Sequence, residues 1–95
     1  MNAPQFLTPE DIRATRTPRA TVRMIASEVS EITGVPASEI LGRRRAQEVC
    51  HARELVCYVA RRTGMTYSQI GRALNRDHST IIHAVANECI RRGEA

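Results

Sequence analysis

Hydrophobic residues recur at helical spacing in the first half of the chain. Between Ala20 and Gly34 the apolar positions fall three or four residues apart, at Val22, Ile25, Ala26, Val29 and Ile32. This spacing places them on one face of a helix of about fourteen residues. Gly34, which precedes Val35-Pro36, is a natural end for that helix.

A second helical pattern follows a short interruption. Ser38 is placed to cap a short helix, which Gly42 ends. After three consecutive arginines, residues 43–45, a longer pattern runs to Thr63. Its apolar face consists of Val49, Ala52, Val56, Val59 and Ala60. The pattern predicts a long helix that begins beside a basic cluster, where the free amides of its first turn also attract phosphate.

Two further helices are predicted in the last third of the chain. Thr66 or Ser68 is placed to cap the first, which runs through Leu74, and Asp77 is placed to cap the second. The buried stripe of the last helix would consist of Ile81, Val85, either Ala84 or Ala86, and Cys89. No segment alternates apolar and polar residues for long enough to form a strand, so the sequence predicts a small all-α domain.

The spacing of the last two helices is typical of a helix-turn-helix. Gly71 provides a small residue where two helices cross closely, and Leu74 closes the first helix. Thr80 and Ile81 follow that leucine by six and seven residues. Such spacing fixes a steeply crossed helix pair whose second helix stands out from the body. We therefore expect the first turn of the second helix to carry the function.

Positive charge is concentrated in the half of the chain that carries this pattern. The 95 residues have a formal net charge of +4. Residues 1–40 hold four arginines against five acidic residues, whereas residues 41–95 hold ten against five. The absence of lysine suits bidentate contacts of arginine with phosphate and guanine, and it also fits a GC-rich coding bias. Without lysine no phosphate-binding loop of the Walker type can form, so no nucleotide is expected.

The sequence gives no sign of a metal site, a disulfide framework or a membrane segment. Cys50, Cys57 and Cys89 are odd in number and lack C-x-x-C spacing, so free thiols are expected, buried in the case of Cys50 and Cys57. His78 and His83 lie five residues apart, unlike a helical metal pair, and no cofactor is expected. The lack of a signal peptide or a long apolar run favours a cytoplasmic, nucleoid-associated protein.

The first residues of the chain differ from the rest. They carry three prolines and scattered charges, and only Phe6, Leu7 and Ile12 could pack. We interpret residues 1–19 as a mobile N-terminal arm that could bind a protein partner, and residues 20–95 as the helix-turn-helix domain.

The residues around the predicted turn resemble a known family. Ile70-Gly71, Leu74 and the run from Arg76 to Ala84 are similar to the signature of the C-terminal DNA-binding domain of the bacterial replication initiator DnaA. The similarity extends upstream and covers residues 20–92. It implies an all-helical domain of the Trp-repressor type that binds duplex DNA at a short asymmetric box.

The candidate DNA-binding residues lie in the basic cluster, on the long helix and in the helix-turn-helix. They are Arg43, Arg44, Arg45, Arg53, Tyr67, Ser68, Arg76, Asp77, His78, Ser79, Thr80 and His83. The resemblance implies that Arg45 enters the minor groove. It implies that Asp77, His78 and Ser79 reach base edges in the major groove, with Thr80 beside them.

The remaining candidates have implied or open roles. By the same resemblance, Arg53 would contact the DNA backbone or a groove, and Tyr67 and Ser68 would meet phosphate. Asp77 can cap its helix, accept a hydrogen bond from a cytosine amino group, or do both. His83 fits a partly buried structural position as well as it fits a DNA contact.

The chain departs from the family pattern in the turn. Asn75 alone separates Leu74 from Arg76, where the family usually has two glycines, so the angle of the second helix could differ. Ala52 replaces a usual proline and Gln47 a usual basic residue. The 95 residues include neither the ATPase nor the oligomerising domain of the initiator, so nucleotide-driven melting of an origin is not expected.

We therefore expect a sequence-specific double-stranded DNA-binding protein that regulates transcription or replication initiation. No enzyme is expected, because Asp77, His78 and Ser79 are adjacent on a helix and do not face one another as a catalytic triad must. The alternative is a DNA-recognition or assembly subunit of a phage or prophage packaging machine. A ring would favour that subunit, and a monomer or dimer would favour the regulator.

Overall fold

The computed structural model describes residues 17–94, which form five helices and, within that range, no strand. The helices are α1 (Pro18–Thr33), α2 (Ala37–Ile40), α3 (Gln47–Arg62), α4 (Tyr67–Leu74) and α5 (His78–Arg92). The predicted all-α class is confirmed. Residues 1–16 and residue 95 lie outside the described part of the chain, and so does most of the predicted N-terminal arm with its protein partner.

Helix α1 begins earlier than its hydrophobic pattern indicates. Thr17 is the N-cap, since its hydroxyl oxygen accepts a hydrogen bond of 3.1 Å from the Ala20 amide, and Pro18 opens the helix. The predicted stop at Gly34 is confirmed by a left-handed φ of 80°. Four of the five predicted apolar positions are buried, but Ile32 is 79% exposed. The burial therefore ends before the last turn of the helix.

Helix α3 is the central element and packs against both α1 and α5. The predicted face is confirmed, with Val49, Ala52, Val56 and Ala60 buried and Val59 half-buried. Cys57 is buried as expected, and Arg53 and Tyr58 are buried as well, which the sequence did not predict. The helix that carries the core therefore also carries a buried cation.

Helix α2 was predicted to begin at a Ser38 cap, and that prediction is wrong. Pro36 occupies the N-cap position without a side-chain hydrogen bond, and Ser38 lies exposed inside the helix. Pro36 has a fixed φ close to the helical value, so the short helix can start without a capping side chain.

The caps of α4 and α5 follow the predicted residues. Thr66, rather than Ser68, caps α4 in a reciprocal capping box with Gln69. Asp77 caps α5. On the buried side of α5, Ala84 rather than Ala86 joins Ile81 and Val85, while Cys89 is only half-buried.

A carboxylate at the end of α5 is buried among arginines. Glu88 is 8% exposed and pairs with Arg91 at 2.7 Å and with Arg92 at 2.9 Å. Arg91 also reaches Glu54 of α3, at 2.6 Å. The Arg91–Glu54 pair therefore joins the last turn of α5 to α3, whereas the two pairs of Glu88 lie within α5.

The three cysteines are free thiols. Burial raises the pKa of Cys57 to about 12, so this thiol stays protonated and unreactive near neutral pH. Cys50 is half-buried rather than fully buried.

Within residues 17–94, no helix has both the length and the hydrophobicity that a membrane span requires.

Candidate nucleic-acid interface

The turn between α4 and α5 is very tight. A Cβ on Gly71 would lie 2.6 Å from the Arg76 carbonyl oxygen, so only glycine permits this approach. Asn75 adopts the left-handed conformation, with φ 56° and ψ 49°, which asparagine tolerates better than most residues. The Arg76 amide then donates to the Gly71 carbonyl at 2.7 Å. One left-handed residue thus closes the shortened turn and sets the start of α5.

The first turn of α5 presents polar side chains to solvent. Asp77, His78, Ser79 and Thr80 are all exposed. Asp77 Oδ2 accepts hydrogen bonds from the Ser79 amide, at 3.0 Å, and from the Ser79 hydroxyl. These two bonds lower the pKa of Asp77, and the bond from the hydroxyl has the larger effect. The Asp77 side chain remains 66% exposed, so capping leaves Oδ1 available to a partner.

Both histidines on this face are accessible. The His78 side chain is 61% exposed, with Nδ1 at 3.9 Å from Asp77 Oδ1. His83, one turn after Ser79, is also exposed, so the structure does not place it in the partly buried position that the sequence left open. His83 borders a cavity of about 310 Å³ between α3 and α5.

The arginine cluster lies in the loop between α2 and α3, with all three side chains exposed. Arg44 pairs with Glu39 at 3.0 Å. Arg43 and Arg45 line an open cavity of about 360 Å³ together with the turn and the start of α5. The other lining residues are Asn75, Arg76, Asp77 and Thr80. The structure therefore brings two of the three arginines to the first turn of α5.

Arg53 occupies a different place from the one that the resemblance implied. It is 6% exposed, and its guanidinium donates to the Ile40 carbonyl at 2.8 Å, the Glu39 carbonyl at 2.9 Å and the Arg44 carbonyl at 3.0 Å. Its Nε and Nη2 donors are thus directed at the loop. Arg53 thus holds the backbone of the arginine loop, and its expected DNA contact stays a prediction.

Arg76 fastens the same loop from the other side. Its Nη2 donates to the Gly42 carbonyl at 2.6 Å, and the side chain is half-buried. Burial, together with the nearby charges of Arg53 and Arg43, lowers the pKa of Arg76. Its position in the wall of the cavity still permits a phosphate contact. Sequence reasoning identified Arg76 as a candidate but missed its bond to Gly42, which is 34 residues away.

Tyr67 and Ser68 lie apart from this cavity, in the first turn of α4. Ser68 is exposed, whereas Tyr67 is half-buried against the core. The Arg61 guanidinium stacks over the Tyr67 ring, 4.8 Å from its centroid. Of the two candidates in this turn, Ser68 is therefore the more exposed.

The cap of α5 should respond to pH. The pKa of Asp77 is lowered in the folded state, so its stabilising effect is present above the ordinary carboxyl pKa, about 3.9, and is lost as pH falls through the lower folded value. Asp77→Asn keeps a capping oxygen but does not titrate. Thermal unfolding from pH 7 to pH 2 should show a larger acid-induced fall in Tm for the native protein than for Asp77→Asn. An equal fall in Tm for the two proteins would contradict the titrating cap at Asp77.

The fold and the exposed first turn of α5 define a helix-turn-helix DNA-binding domain. A family model described as "Bacterial dnaA protein helix-turn-helix" matches residues 22–87. The chain therefore belongs to the family of bacterial DnaA helix-turn-helix domains. No solved structure matches it.

Several chromosomal replication initiator proteins named DnaA are similar to this chain. That of Caldanaerobacter subterraneus subsp. tengcongensis is 30% identical over 83 residues, which is 83% of this chain and 19% of the relative. That of Sphingopyxis alaskensis is 37% identical over 78 residues, 80% of this chain and 17% of the relative. That of Acinetobacter baylyi is 36% identical over 77 residues, 79% of this chain and 17% of the relative. The chain spans less than a fifth of each of these relatives.

Proposed function

We propose that this protein binds duplex DNA sequence-specifically and thereby takes part in replication initiation or regulates transcription. The first turn of α5 reads base pairs in the major groove, and an arginine of the loop between α2 and α3 enters the adjacent minor groove. The observation that carries the proposal is the cavity of about 360 Å³ that brings Arg43 and Arg45 to Asp77 and Thr80.

The geometry of this cavity suits a duplex. In DNA the sugar-phosphate backbone separates a major groove from the neighbouring minor groove, so a protein that enters both must straddle one strand. The arginine loop forms one side of the cavity and α5 forms the other, with Arg76 in the wall between them. Two or three guanidinium groups would thus surround the straddled phosphates, where arginine binds well.

The exposed side chains of α5 supply base-reading groups. Asp77 Oδ1 can accept from a cytosine amino group while Oδ2 caps the helix. The His78 imidazole can donate to or accept from a base edge. Ser68, at the start of α4, is placed for a phosphate contact that sets the orientation of the pair.

The decisive experiment is a selection of binding sites from random-sequence duplex at about 0.15 M salt, where non-specific phosphate attraction is damped. Recovery of one short box supports the proposal, and recovery of none contradicts it. The comparisons give no support to the packaging-subunit alternative. The oligomeric state of the free protein, measured by sedimentation, tests this alternative separately, because a packaging subunit would form a ring.

Two substitutions should separate base reading from phosphate attraction. His78→Ala should cost about 1 to 3 kcal/mol of discrimination between the selected box and random duplex. Arg43→Ala should instead weaken both duplexes alike and reduce the steepness of the salt dependence by about 0.9. Arg23→Ala, which removes an exposed arginine of α1, is the matched charge control and should leave that slope nearly unchanged. An equal loss on both duplexes for His78→Ala would rule out its base contact.

A further inference from the structure

An open groove lies between α1, the end of α3 and the start of α4. Its volume is about 400 Å³, and its apolar lining includes Met24, Ile25, Val59 and Met65. None of the residues that line it belongs to the arginine loop or to α5. The groove is therefore separate from the cavity beside the first turn of α5.

The lining of this groove leaves apolar surface exposed. Met24 is 45% exposed, although methionine is among the residues most often buried, and Val59 is only half-buried. Ile25 and Met65 are buried beneath them. Apolar surface of this kind gains free energy when another apolar group covers it. The groove thus suits a short apolar segment.

The chain enters the described domain at the edge of the groove. Thr17 has an extended backbone, with φ −70° and ψ 154°, and Pro18 opens α1. Pro18 is also one of the residues that line the groove. Residues 1–16, which precede this entry point, contain the adjacent apolar pair Phe6 and Leu7. An apolar pair is therefore tethered directly beside an uncovered apolar groove.

We propose that the segment of residues 1–16 binds back onto its own domain, with the Phe6 and Leu7 side chains in this groove. The inference does not rest on the proposed DNA binding. Phe6 precedes Pro18 by twelve residues, which span up to about 40 Å when extended. Packed helices lie only about 10 Å apart, so the pair can reach the whole groove. The groove also falls within the range of about 300 to 1,000 Å³ that holds small ligands.

Two properties favour this segment over a separate partner. Because the segment is tethered at the edge of the groove, its effective concentration there is on the order of millimolar, so weak apolar contacts suffice. The groove wall also carries Glu28, with which Arg13 or Arg16 of the segment can pair. A second copy of the chain would supply the same groups at a much lower concentration.

The composition of the chain permits a direct test on the full-length protein. Phe6 is the only phenylalanine, and two of the three methionines, Met24 and Met65, line the groove. The protein is labelled at the methionine methyl groups and at the phenylalanine ring and studied by NMR. Cross-peaks are expected between the Phe6 ring and the methyl groups of Met24 and Met65, whose signals the ring should shift.

Two variants of the segment form a matched pair. Phe6→Ala should abolish the ring-dependent shifts of the Met24 and Met65 methyl signals. It should also accelerate cleavage by trypsin after Arg13, because proteolysis follows the population in which the segment is not bound. Gln5→Ala truncates the neighbouring polar side chain and should change neither result. Circular dichroism verifies that both variants keep the five helices.

A mixed sample identifies the occupant of the groove. Molecules labelled only at methionine are combined with molecules labelled only at phenylalanine, and no cross-peak between the two labels is expected. Cross-peaks in this mixture would overturn the proposal, because the segment would then bind a second copy of the chain. The proposal is also overturned if the doubly labelled protein lacks cross-peaks between Phe6 and the groove, or if trypsin cleaves the native protein and Phe6→Ala equally fast.

Discussion

Replacing Arg53 by methionine is expected to lower the free energy of unfolding by about 3 kcal/mol, because several carbonyl groups lose a charged donor at once. Methionine fills much of the arginine stem but leaves the carbonyls of Glu39, Ile40 and Arg44 without their present partner. The buried location limits replacement by water, since Arg53 is only 6% exposed. Urea unfolding followed by circular dichroism measures the effect.

Two further substitutions test the cause. Arg53→Lys retains the charge, but a single ammonium cannot reproduce the forked contacts of a guanidinium, so its loss of stability should be intermediate. Arg23→Met makes the same change at an exposed position of α1 and should alter stability by no more than about 0.5 kcal/mol. If Arg53→Met proves no more damaging than Arg23→Met, the loop is not held by Arg53.

The same loop carries Arg43 and Arg45, so its loosening has a consequence for binding. In Arg53→Met at a temperature where the protein is still folded, the two guanidinium groups lose their fixed position beside α5. Affinity for duplex DNA should then fall although Arg53 itself is not exposed to DNA. Such a loss of affinity would show that Arg53 acts by holding the loop in position, a role that the sequence alone does not reveal.

The helices were predictable because their signals are local. Hydrophobic spacing identified α1, α3 and α5, and the end at Gly34 and the caps at Thr66 and Asp77 depend on residues within one turn. The pattern failed at Ile32, where apolar spacing continues after the burial has ended. The predicted cap at Ser38 was wrong as well, because Pro36 already occupies the N-cap position of α2.

The candidate site was predictable in its residues but only partly in their roles. The exposed first turn of α5 follows from the cap and the apolar stripe, both visible in the sequence. The different roles of the arginines could not be predicted, because Arg53 contacts carbonyls 9 to 14 residues away and Arg76 contacts one 34 residues away. Glu88 was also missed, although its two arginine partners lie only three and four residues further along α5.

Gly71→Ala should destabilise the protein by about 2 kcal/mol, although the same change within an ordinary helix stabilises by about 0.5 to 1 kcal/mol. The new Cβ would lie 2.6 Å from the Arg76 carbonyl oxygen, a backbone atom that can move only if the turn moves. Relief of this clash displaces Arg76 and the start of α5 from α4. Thermal and urea unfolding give the sign of the change, and a gain in stability would contradict the close crossing.

Gly34→Ala is the control that separates this clash from general strain. Gly34 has a φ of 80° but no atom within 4 Å of an added Cβ, so alanine there costs only the left-handed conformation, about 1 kcal/mol. Both variants should therefore be less stable, but for different reasons. Only Gly71→Ala moves the helix that carries Asp77 and His78, so only this variant should lose discrimination for the selected box when both are folded. Equal discrimination in the two variants would mean that α5 tolerates a displaced turn.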